Sequence, residues 1–431
     1  MTAAPLKIGI AGLGTVGAGV IKLLSENGAL LNERAGREIV VTAVSARDRE
    51  KDRGVTLEGL RWHSDPLALA ADGEVEAVVE LIGGSEGIAL DLTRASLAAG
   101  KPVITANKAL LAHHGADLAK LAEAHQATIG YEAAVAGGIP IVKALREGLV
   151  GNRLFRVYGI LNGTCNYILT SMRETGRGFD EVLAEAQALG YAEADPTFDI
   201  DGVDAAHKLA LLASLAFGSL PDFDAVHIEG IRHISADDIA FASEMGYRIK
   251  LLGVARKTEY GLEQRVHPAM VKIGTPISQI EGVFNAVVAE GDQVDTTLHS
   301  GRGAGDGPTA SAVVSDIAGL ARGAAAPVFT LPVDRLASIE PAPMGRHQGA
   351  YYIRLMVLDR PGVLADVSAL MRDHDVSIEA LIQRARNPGE AVPIVLTTHM
   401  TSEADMIAVL EKIGALDAVL EPPRMIRIEA L

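Results

Sequence analysis

The sequence has one cysteine, few aromatic residues and no long apolar run. Cys165 is the only cysteine among 431 residues, so no disulfide can form within the chain and nothing points to an oxidising compartment. The most apolar helical stretch, 209–217, is too short to cross a bilayer. Residues 1–7 lack the basic start and long apolar core of a signal peptide. These absences predict a cytoplasmic protein with no membrane partner.

Positive charge is also scarce. The formal net charge at pH 7 is −16, whereas nucleic acids and anionic membranes attract basic surfaces. The sequence therefore argues against both as partners. An anionic cofactor stays compatible with this charge, because backbone amides at a helix N-terminus bind phosphate without a basic surface. The balance of 48% hydrophobic and 22% charged residues is that of a globular enzyme, and the length indicates about three domains.

The pattern of apolar residues divides the chain. Strand-like runs alternate with helical stretches over 1–140, which predicts a Rossmann-type parallel sheet, closed by a later helix at 309–322. Helical and strand-like stretches mix over 141–323, as in an α+β domain. Four prolines mark 324–349 as a linker. The last part, 350–431, reads as a βαββαβ unit small enough to fold alone. The predicted fold class is α/β with three domains.

A glycine turn follows the first predicted strand and precedes the first predicted helix. Gly12, Gly14 and Gly17 fit the pattern GxGxxG, whose glycines allow a tight turn, close approach of a pyrophosphate and close helix–strand packing. A glycine-rich turn without a ligand is the alternative. The dinucleotide-binding residues that the motif predicts are Gly12, Leu13, Gly14, Thr15, Val16 and Gly17.

The second predicted strand bears on which dinucleotide binds. In NAD sites this strand usually ends in Asp or Glu, which binds the ribose hydroxyls. Here it ends in Val44-Ser45-Ala46-Arg47, and Arg47 is suited to hold a 2′-phosphate. This favours NADP, with NAD as the alternative cofactor. The competing interpretation is that Arg47 and the charges of 49–53 form a solvated loop face.

Five strings further along are more specific than the glycine turn. They are TANK at 105–108, YEAAVAGGIP at 131–140, LNGTCNYI at 161–168, GYAEADP at 190–196 and DIDGVDAAHK at 199–208. Their order and spacing resemble homoserine dehydrogenase over residues 6–322. The tail, with LDRPGVL at 358–364, resembles an ACT domain. This combination is similar to the monofunctional homoserine dehydrogenases of bacteria.

The resemblance implies an NAD(P)-dependent oxidoreductase that interconverts L-homoserine and L-aspartate 4-semialdehyde, on the route to threonine, methionine and isoleucine. It implies a homo-oligomer, a dimer or a tetramer, with the α+β domain serving catalysis and dimerisation. A dehydrogenase acting on aspartate itself and a non-enzymatic sensor of amino acids or NADPH are the alternatives. Intact Lys108 and Lys208 argue against the sensor.

Two lysines and three carboxylates are the candidate catalytic groups. Asp204 and Lys208 are four residues apart and share a helix face, which is most often a surface ion pair. The helix continues into apolar residues, so we expect this pair to be partly buried. By resemblance, Lys208 donates a proton to the aldehyde oxygen, and Lys108 assists beside nicotinamide and substrate. Glu193 and Asp204 would bind the substrate's ammonium group, and Asp199 would support Lys208.

Other interpretations of these groups remain. Lys108 would otherwise be a capping lysine on a βα loop. A metal cluster of the three carboxylates is disfavoured, because hydride transfer needs no Lewis acid and no histidine pairs accompany them.

The string 131–140 is a better metal candidate, because Gly137 and Gly138 allow a tight backbone curl. The resemblance implies a sodium or potassium ion held by Glu132 and the backbone of Val135, Gly137 and Ile139. A hinge between two domains is the alternative, and the two interpretations are compatible.

Two further predictions rest on the resemblance. Gly190 and Gly305 would contact the cofactor. The ACT-like tail would bind an amino acid effector, with L-threonine expected as an end product, where Asp359-Arg360-Pro361-Gly362 opens a helix. An oligomerisation module without a ligand is the alternative for this tail.

Overall fold

A six-stranded parallel sheet occupies the first 130 residues of the computed structural model, which describes residues 4–324, 326–384 and 389–431. Its elements are β1 (Leu6–Ala11), α1 (Thr15–Glu26), α2 (Gly28–Ala35), β2 (Ile39–Ser45), β3 (Arg61–His63), α3 (Ala68–Ala71), β4 (Ala77–Glu80), α4 (Ile88–Ala98), β5 (Val103–Thr105), α5 (Lys108–Ala124) and β6 (Ile129–Gly130). The strand order β3-β2-β1-β4-β5-β6 is that of a Rossmann sheet. The order reverses between β1 and β4, and ligands bind at the carboxyl ends of strands at such a point.

A second sheet begins in the middle of the chain. The central elements are α6 (Ile141–Lys143), β7 (Leu154–Ile160), α7 (Gly163–Thr175), α8 (Phe179–Ala188), α9 (Thr197–Ile200), α10 (Val203–Phe217), β8 (His227–Ile228), α11 (Ala236–Glu244), β9 (Tyr247–Thr258), β10 (Gly261–Lys272), β11 (Phe284–Gly291), β12 (Asp295–Arg302) and α12 (Asp306–Ala321). The C-terminal elements are β13 (Gln348–Leu358), α13 (Val363–Asp373), β14 (Ile378–Gln383), β15 (Ala391–Thr398), β16 (Thr401–Ser402), α14 (Glu403–Gly414) and β17 (Arg424–Glu429).

Central and C-terminal strands belong to the same sheet. Its order is β12-β11-β7-β9-β10-β17-β13-β15-β14, with β8 beside β10 and β16 beside β13. β17 pairs in parallel with β10, and Ala269 lies opposite Arg427. The side chains of Tyr352 and Ile426 belong to the same buried cluster as those of α10. The predicted α/β class and the βαββαβ unit are confirmed, but the sequence did not indicate that this unit extends the central sheet.

Buried charges hold β17 against the central sheet. Arg265 on β10 donates to Glu429 on β17 at 2.6 Å. Arg427 on β17 donates to both carboxylate oxygens of Glu229, at 2.9 and 2.8 Å, and also to Glu403. We call this cluster the C-terminal joint; its members are Glu229, Glu263, Arg265, Glu403, Arg427 and Glu429.

The helix predicted at 309–322 does pack on the first domain, but α12 begins at Asp306. Its Val313 and Ile317 lie in one buried cluster with Val20 of α1 and Ile8 of β1. The helix includes Pro308 in its first turn, where the missing N–H of proline is tolerated. Proline is therefore no barrier to the earlier start. No helix among the described residues is long and apolar enough to cross a membrane.

Candidate functional site

The glycine turn has the geometry of a pyrophosphate-binding loop. Gly12 has a φ of 94°, and an added Cβ would lie 2.4 Å from the carbonyl oxygen of Leu81. A Cβ on Gly17 would lie 2.0 Å from the carbonyl oxygen of Gly12, whereas one on Gly14 would meet nothing within 4 Å. The turn is thus tight at its first and third glycines and open at its second, as close approach of a phosphate requires. α1 has no side-chain cap, so its first amides remain available to an anion.

A cavity of about 550 Å³ opens beside this turn, between the two sheets. The starts of four helices (α1, α5, α7 and α10) line it, together with residues from the segments 133–137, 190–199, 283–285 and 302–309. The predicted site residues among its lining are Val16, Lys108, Gly137, Gly190, Glu193, Asp199, Asp204, Lys208 and Gly305. The remaining predicted residues do not line it: Gly12, Leu13, Gly14, Thr15, Gly17, Arg47, Glu132, Val135 and Ile139.

One carboxylate lies between the two lysines. Asp204 on α10 is buried, and its Oδ2 lies 2.6 Å from Nζ of Lys208 one helical turn later. Its Oδ1 lies 2.9 Å from Nζ of Lys108, the first residue of α5. Lys208 also donates to the carbonyl oxygen of Leu161 at 2.8 Å. The partly buried pair that the helical spacing predicted is therefore present, and the nucleotide-binding domain adds a second lysine to it.

These contacts set the charge state of the group. Burial alone raises the pKa of Asp204, but the ammonium groups of Lys208 and Lys108 outweigh it and hold that pKa well below the usual range. The carboxylate of Asp204 raises the pKa of Lys108, burial opposes that rise, and the more distant Asp199 and Glu193 add to it. Asp204 is thus an anion and Lys108 a cation at neutral pH.

Two residues of the string 161–168 organise the carboxylates, although sequence reasoning gave them no role. Asn162 caps α7 by accepting from the amide of Cys165 at 2.8 Å. Its Nδ2 donates to Asp199 at 2.8 Å and to Asp204 at 2.9 Å. The hydroxyl of Thr164 lies 3.1 Å from the other oxygen of Asp199. An Asn directly before a helix start is a recognisable cap signal, so this role of Asn162 was accessible from the sequence.

A separate polar network positions Lys108. Asn107 caps α5 by accepting from the amide of Leu110 at 3.1 Å, and it donates to the carbonyl oxygen of Gly84 at 2.6 Å. The backbone amide of Asn107 is bonded to the hydroxyl of Thr105, which donates in turn to buried Glu80 at 2.7 Å. Burial raises the pKa of Glu80. The start of α5 is therefore fixed by the ends of β4 and β5.

Glu132 sits in a buried, curled loop. Its carboxylate accepts from the amides of Val142 and Lys143, at 2.8 and 3.0 Å. Burial, and then the nearby Asp316, raise the pKa of Glu132 to about 7. Ala136 and Gly137 have φ values of 55° and 51°. Among the described residues no side-chain cation pairs with Glu132, and no three His, Cys, Asp or Glu side chains are grouped to hold a metal.

The loop that follows β2 is exposed and rich in charge. β2 ends at Ser45, and Arg47 is exposed to solvent. Arg53 returns to the glycine turn, where it donates to the carbonyl oxygen of Leu13 at 3.1 Å. The guanidinium groups of Arg49 and Arg53 lie 6.0 and 5.7 Å from the ring centre of Trp62. The charges of 49–53 are therefore partly ordered against the glycine turn rather than only solvated.

The C-terminal unit has a smaller cavity, of about 280 Å³, at the start of α13. Asp359, Arg360, Gly362 and Gln383 line it. The Oδ2 atom of Asp359 is buried and has no hydrogen-bond partner in the described structure. A carboxylate oxygen in this state is suited to a cationic ligand group.

Comparisons with known proteins agree with this geometry. The family pattern of the homoserine dehydrogenase NAD-binding domain matches residues 12–132, that of homoserine dehydrogenase matches 140–318, and that of the ACT domain matches 351–418. Homoserine dehydrogenase of Neisseria gonorrhoeae is 45% identical over 433 residues, which cover 99% of each chain.

Solved structures extend the comparison. A homoserine dehydrogenase from Thiobacillus denitrificans superposes with a TM-score of 0.94 at 45% identity, covering 100% of this chain and 99% of that one. A hyperthermophilic archaeal homoserine dehydrogenase in complex with NADPH has a TM-score of 0.62 at 26% identity, covering 74% of this chain and 97% of its own. The three family patterns that match this chain, together with its full-length relatives, show that it is an oxidoreductase of the homoserine dehydrogenase family.

Proposed function

We propose that Lys208 is the proton donor when this enzyme reduces L-aspartate 4-semialdehyde to L-homoserine, and the acceptor in reverse. The observation that carries the proposal is Asp204 held between Lys108 and Lys208 at the wall of the cavity beside Val16. An ammonium group has three N–H donors. Leu161 and Asp204 take two of those on Lys208, which leaves the third for the substrate oxygen.

The carboxylates of the site have proposed roles in binding the substrate and supporting Lys208. Asp204 and Glu193 would bind the substrate's ammonium group, and Lys108 would lie between substrate and nicotinamide. Asp199 supports Lys208 through Asn162, which donates to both Asp199 and Asp204. When bound, the nicotinamide supplies the hydride in the reducing direction.

The test follows NADPH absorbance after L-aspartate 4-semialdehyde is added to pure protein. We expect consumption by the unmodified enzyme and none above background with Lys208→Ala, whose NADPH affinity should be nearly unchanged. Lys257→Ala is the matched control, because Lys257 is exposed on β9, and it should keep full activity. Turnover that survives Lys208→Ala would show that the assigned role is wrong.

We further propose that NADP is the preferred cofactor. Gly12, Leu13, Gly14, Thr15, Val16 and Gly17 would hold the pyrophosphate, with Gly190 and Gly305 beside the nicotinamide and Arg47 on the 2′-phosphate. Support comes from the absence of an acid at the end of β2 and from the archaeal relative solved with NADPH. Steady-state rates with both cofactors test this: Arg47→Ala should raise KM for NADPH and leave KM for NADH unchanged. Equal effects on both would contradict the role.

A monovalent cation is the third element of the proposal. Sodium or potassium would be held by Glu132 and the carbonyl groups of Val135, Gly137 and Ile139, and its role would be structural. The buried carboxylate without a side-chain cation supports this. NaCl or KCl should raise the melting temperature more than choline chloride does at equal ionic strength, and Glu132→Gln should abolish the difference. Identical curves in all three salts would exclude the ion.

We also propose L-threonine as the effector of the ACT domain. Its carboxylate would meet the amides at the start of α13, and its ammonium group would meet Oδ2 of Asp359, which lacks a partner among the described residues. L-Threonine should inhibit, D-threonine should not, and Asp359→Asn should relieve inhibition while the exposed Asp373→Asn does not. Inhibition that is unchanged in Asp359→Asn would refute this site.

Finally, we propose a cytoplasmic homo-oligomer in the route to threonine, methionine and isoleucine. β14 is the last strand of the large sheet and is largely exposed, with Leu381 41% accessible. Such a strand tends to pair with another chain. Light scattering should give a dimer or a tetramer, and a monomeric mass would contradict the proposal.

A further inference from the structure

Two polar side-chain contacts join α5 of the nucleotide-binding domain to α10 of the catalytic domain, among the residues that the structure describes. The first is the ion pair between Lys108 and Asp204. The second, one helical turn further along both helices, is between His113 and His207, whose Nε2 atoms are 3.1 Å apart. Each helix therefore carries one catalytic lysine and one of these histidines, since Lys208 follows His207 on α10.

The hydrogen bond between the histidines has a defined direction. Nδ1 of His207 lies 2.9 Å from the carbonyl oxygen of Val203. A carbonyl oxygen only accepts, so Nδ1 of His207 carries the hydrogen and Nε2 of the neutral ring is an acceptor. His113 must then donate from its own Nε2. The bond persists whether His113 is neutral or protonated, and it fails only when His207 takes up a proton.

The surroundings hold His207 in the neutral form. Its ring stacks on Phe223, with centroids 4.2 Å apart and planes 10° apart, and faces Phe198 at 5.5 Å. Burial and the neighbouring His113 lower the pKa of His207 to about 4. Of the charged groups that face the ring, Asp204 on its own helix raises that pKa and Lys108 on α5 lowers it.

The aromatic rings around His207 also contact Lys108. The ammonium group of Lys108 lies 5.8 Å from the ring centre of Phe198, on which His207 also packs. The edge of His113 meets Phe223 at 4.8 Å. One continuous series of contacts thus crosses the junction of the two domains, through Lys108, Phe198, His207, Phe223 and His113.

The two contacts have different fates during turnover. Under the proposed function, Asp204 receives the substrate's ammonium group, so its oxygens must be shared between Lys108 and the ligand. Neither His113 nor His207 lines the cavity, so the histidine contact does not have to exchange partners with the substrate.

We propose that the His113–His207 hydrogen bond is a positioning contact, which keeps Lys108 and Lys208 in register while Asp204 exchanges its partners. The inference rests on the proposed roles of the two lysines. Neither histidine is a catalytic residue, because both act through the helices that carry the lysines.

The test compares three variants of His113 and its neighbour by steady-state kinetics. His113→Met removes the donor, and kcat should fall about threefold to tenfold, as loss of one neutral hydrogen bond allows. KM for NADPH should not change, because the glycine turn is untouched. His113→Gln, whose amide donates, should restore kcat. His114→Gln is the matched control, because His114 binds Glu86 at 2.6 Å and not α10, and it should behave as the unmodified enzyme.

Two results would overturn the inference: an unchanged kcat in His113→Met, or a loss in His113→Gln as large as in His113→Met. Nitrogen-15 spectra of the unmodified enzyme give a second measurement that needs no variant. They should show the hydrogen of His207 on Nδ1, and the opposite tautomer would also overturn the inference. Full turnover by Lys208→Ala would instead refute the proposed function, so the two failures are distinguishable.

Discussion

The active site and the C-terminal joint are both clusters of buried charge, and they differ in whether the cluster encloses open space. Asp204 and its two lysines form one wall of a cavity of about 550 Å³. Arg265 and Arg427 in the joint are packed between strands with almost no accessible surface. Under the proposed function, pairs of opposite charge therefore serve chemistry in one place and hold strands together in the other.

The surroundings of the charged groups are the physical difference. In the joint, Arg427 binds Glu229 through two parallel bonds and Glu403 through others, the strong geometry for a guanidinium. In the active site, Lys208 has two acceptors for three donors. A buried charge enclosed by its partners is inaccessible to a ligand, whereas one with a spare donor at a cavity is available to it.

The largest expected effect is on activity. Asp204→Asn removes the anion that holds both lysines, and kcat/KM should fall by about 10²- to 10⁴-fold, the range expected when proton transfer from Lys208 is lost. The free energy of unfolding should change less than in Arg427→Met, because both lysines line a cavity that is large enough to admit water. Asp201→Asn is the control on the same turn, because Asp201 pairs outward with Arg232. Steady-state kinetics measure kcat/KM for both variants. Equal losses of kcat/KM would show that the position of Asp204 between the lysines is not what matters.

The second effect is on stability. Arg427→Met leaves Glu229 and Glu403 without their cation, and the free energy of unfolding should fall by about 3–5 kcal/mol. Activity of the folded molecules should remain, because Arg427 does not line the cavity. Urea unfolding followed by circular dichroism measures the loss. A loss below about 1 kcal/mol would mean that the ion pairs of Arg427 contribute little to stability.

Lowering the pH should weaken the C-terminal joint over a defined pH range. Burial opposes it, but His347 and Arg265 lower the pKa of Glu263 to about 2. A carboxylate whose pKa is lower in the folded state contributes stability at higher pH and loses it as pH falls from about 4.5 to about 2. The urea midpoint of the unmodified enzyme should therefore drop between pH 5 and pH 3. Glu263→Gln should begin lower and drop less, and parallel curves would contradict this.

The smallest expected effect is at an ion pair on the protein surface, which serves as the exposed counterpart of the buried joint. Arg372 and Asp373 form an ion pair on α13, with side chains 75% and 56% accessible. Arg372→Met should change the free energy of unfolding by less than about 0.5 kcal/mol, since solvent screens such pairs. The same urea titration measures it beside Arg427→Met. A loss comparable to that of Arg427→Met would show that charge alone, rather than burial, decides the cost.

Local features of the fold and site are predictable from the sequence. The first strand, the glycine turn and α1 follow from a short apolar run and spaced glycines, and α10 follows from an apolar helical run that ends at Gly218. Asp204 and Lys208 share a face because of helical spacing alone. These predictions succeed because each depends on neighbours within a few residues.

Features made by distant segments are not predictable in this way. Lys108 meets Asp204 only because α5 packs against α10, and no spacing relates them. β10 reads as a strand from its apolar residues, yet the pattern does not show that its Arg265 faces Glu429 of a strand far along the chain. The pairing of β10 with β17 depends on complementary charges that only the folded sheet brings together.

The parallel pairing of β17 with β10 has a consequence for shortened forms of the enzyme. Loss of the C-terminal unit would uncover the backbone of β10 where it pairs with β17 and would remove Glu429 from Arg265. An open strand of this kind attracts strands of other molecules. A chain nicked before β13 should therefore aggregate, and single substitutions near Asp359 are a better test of the proposed effector site than truncation.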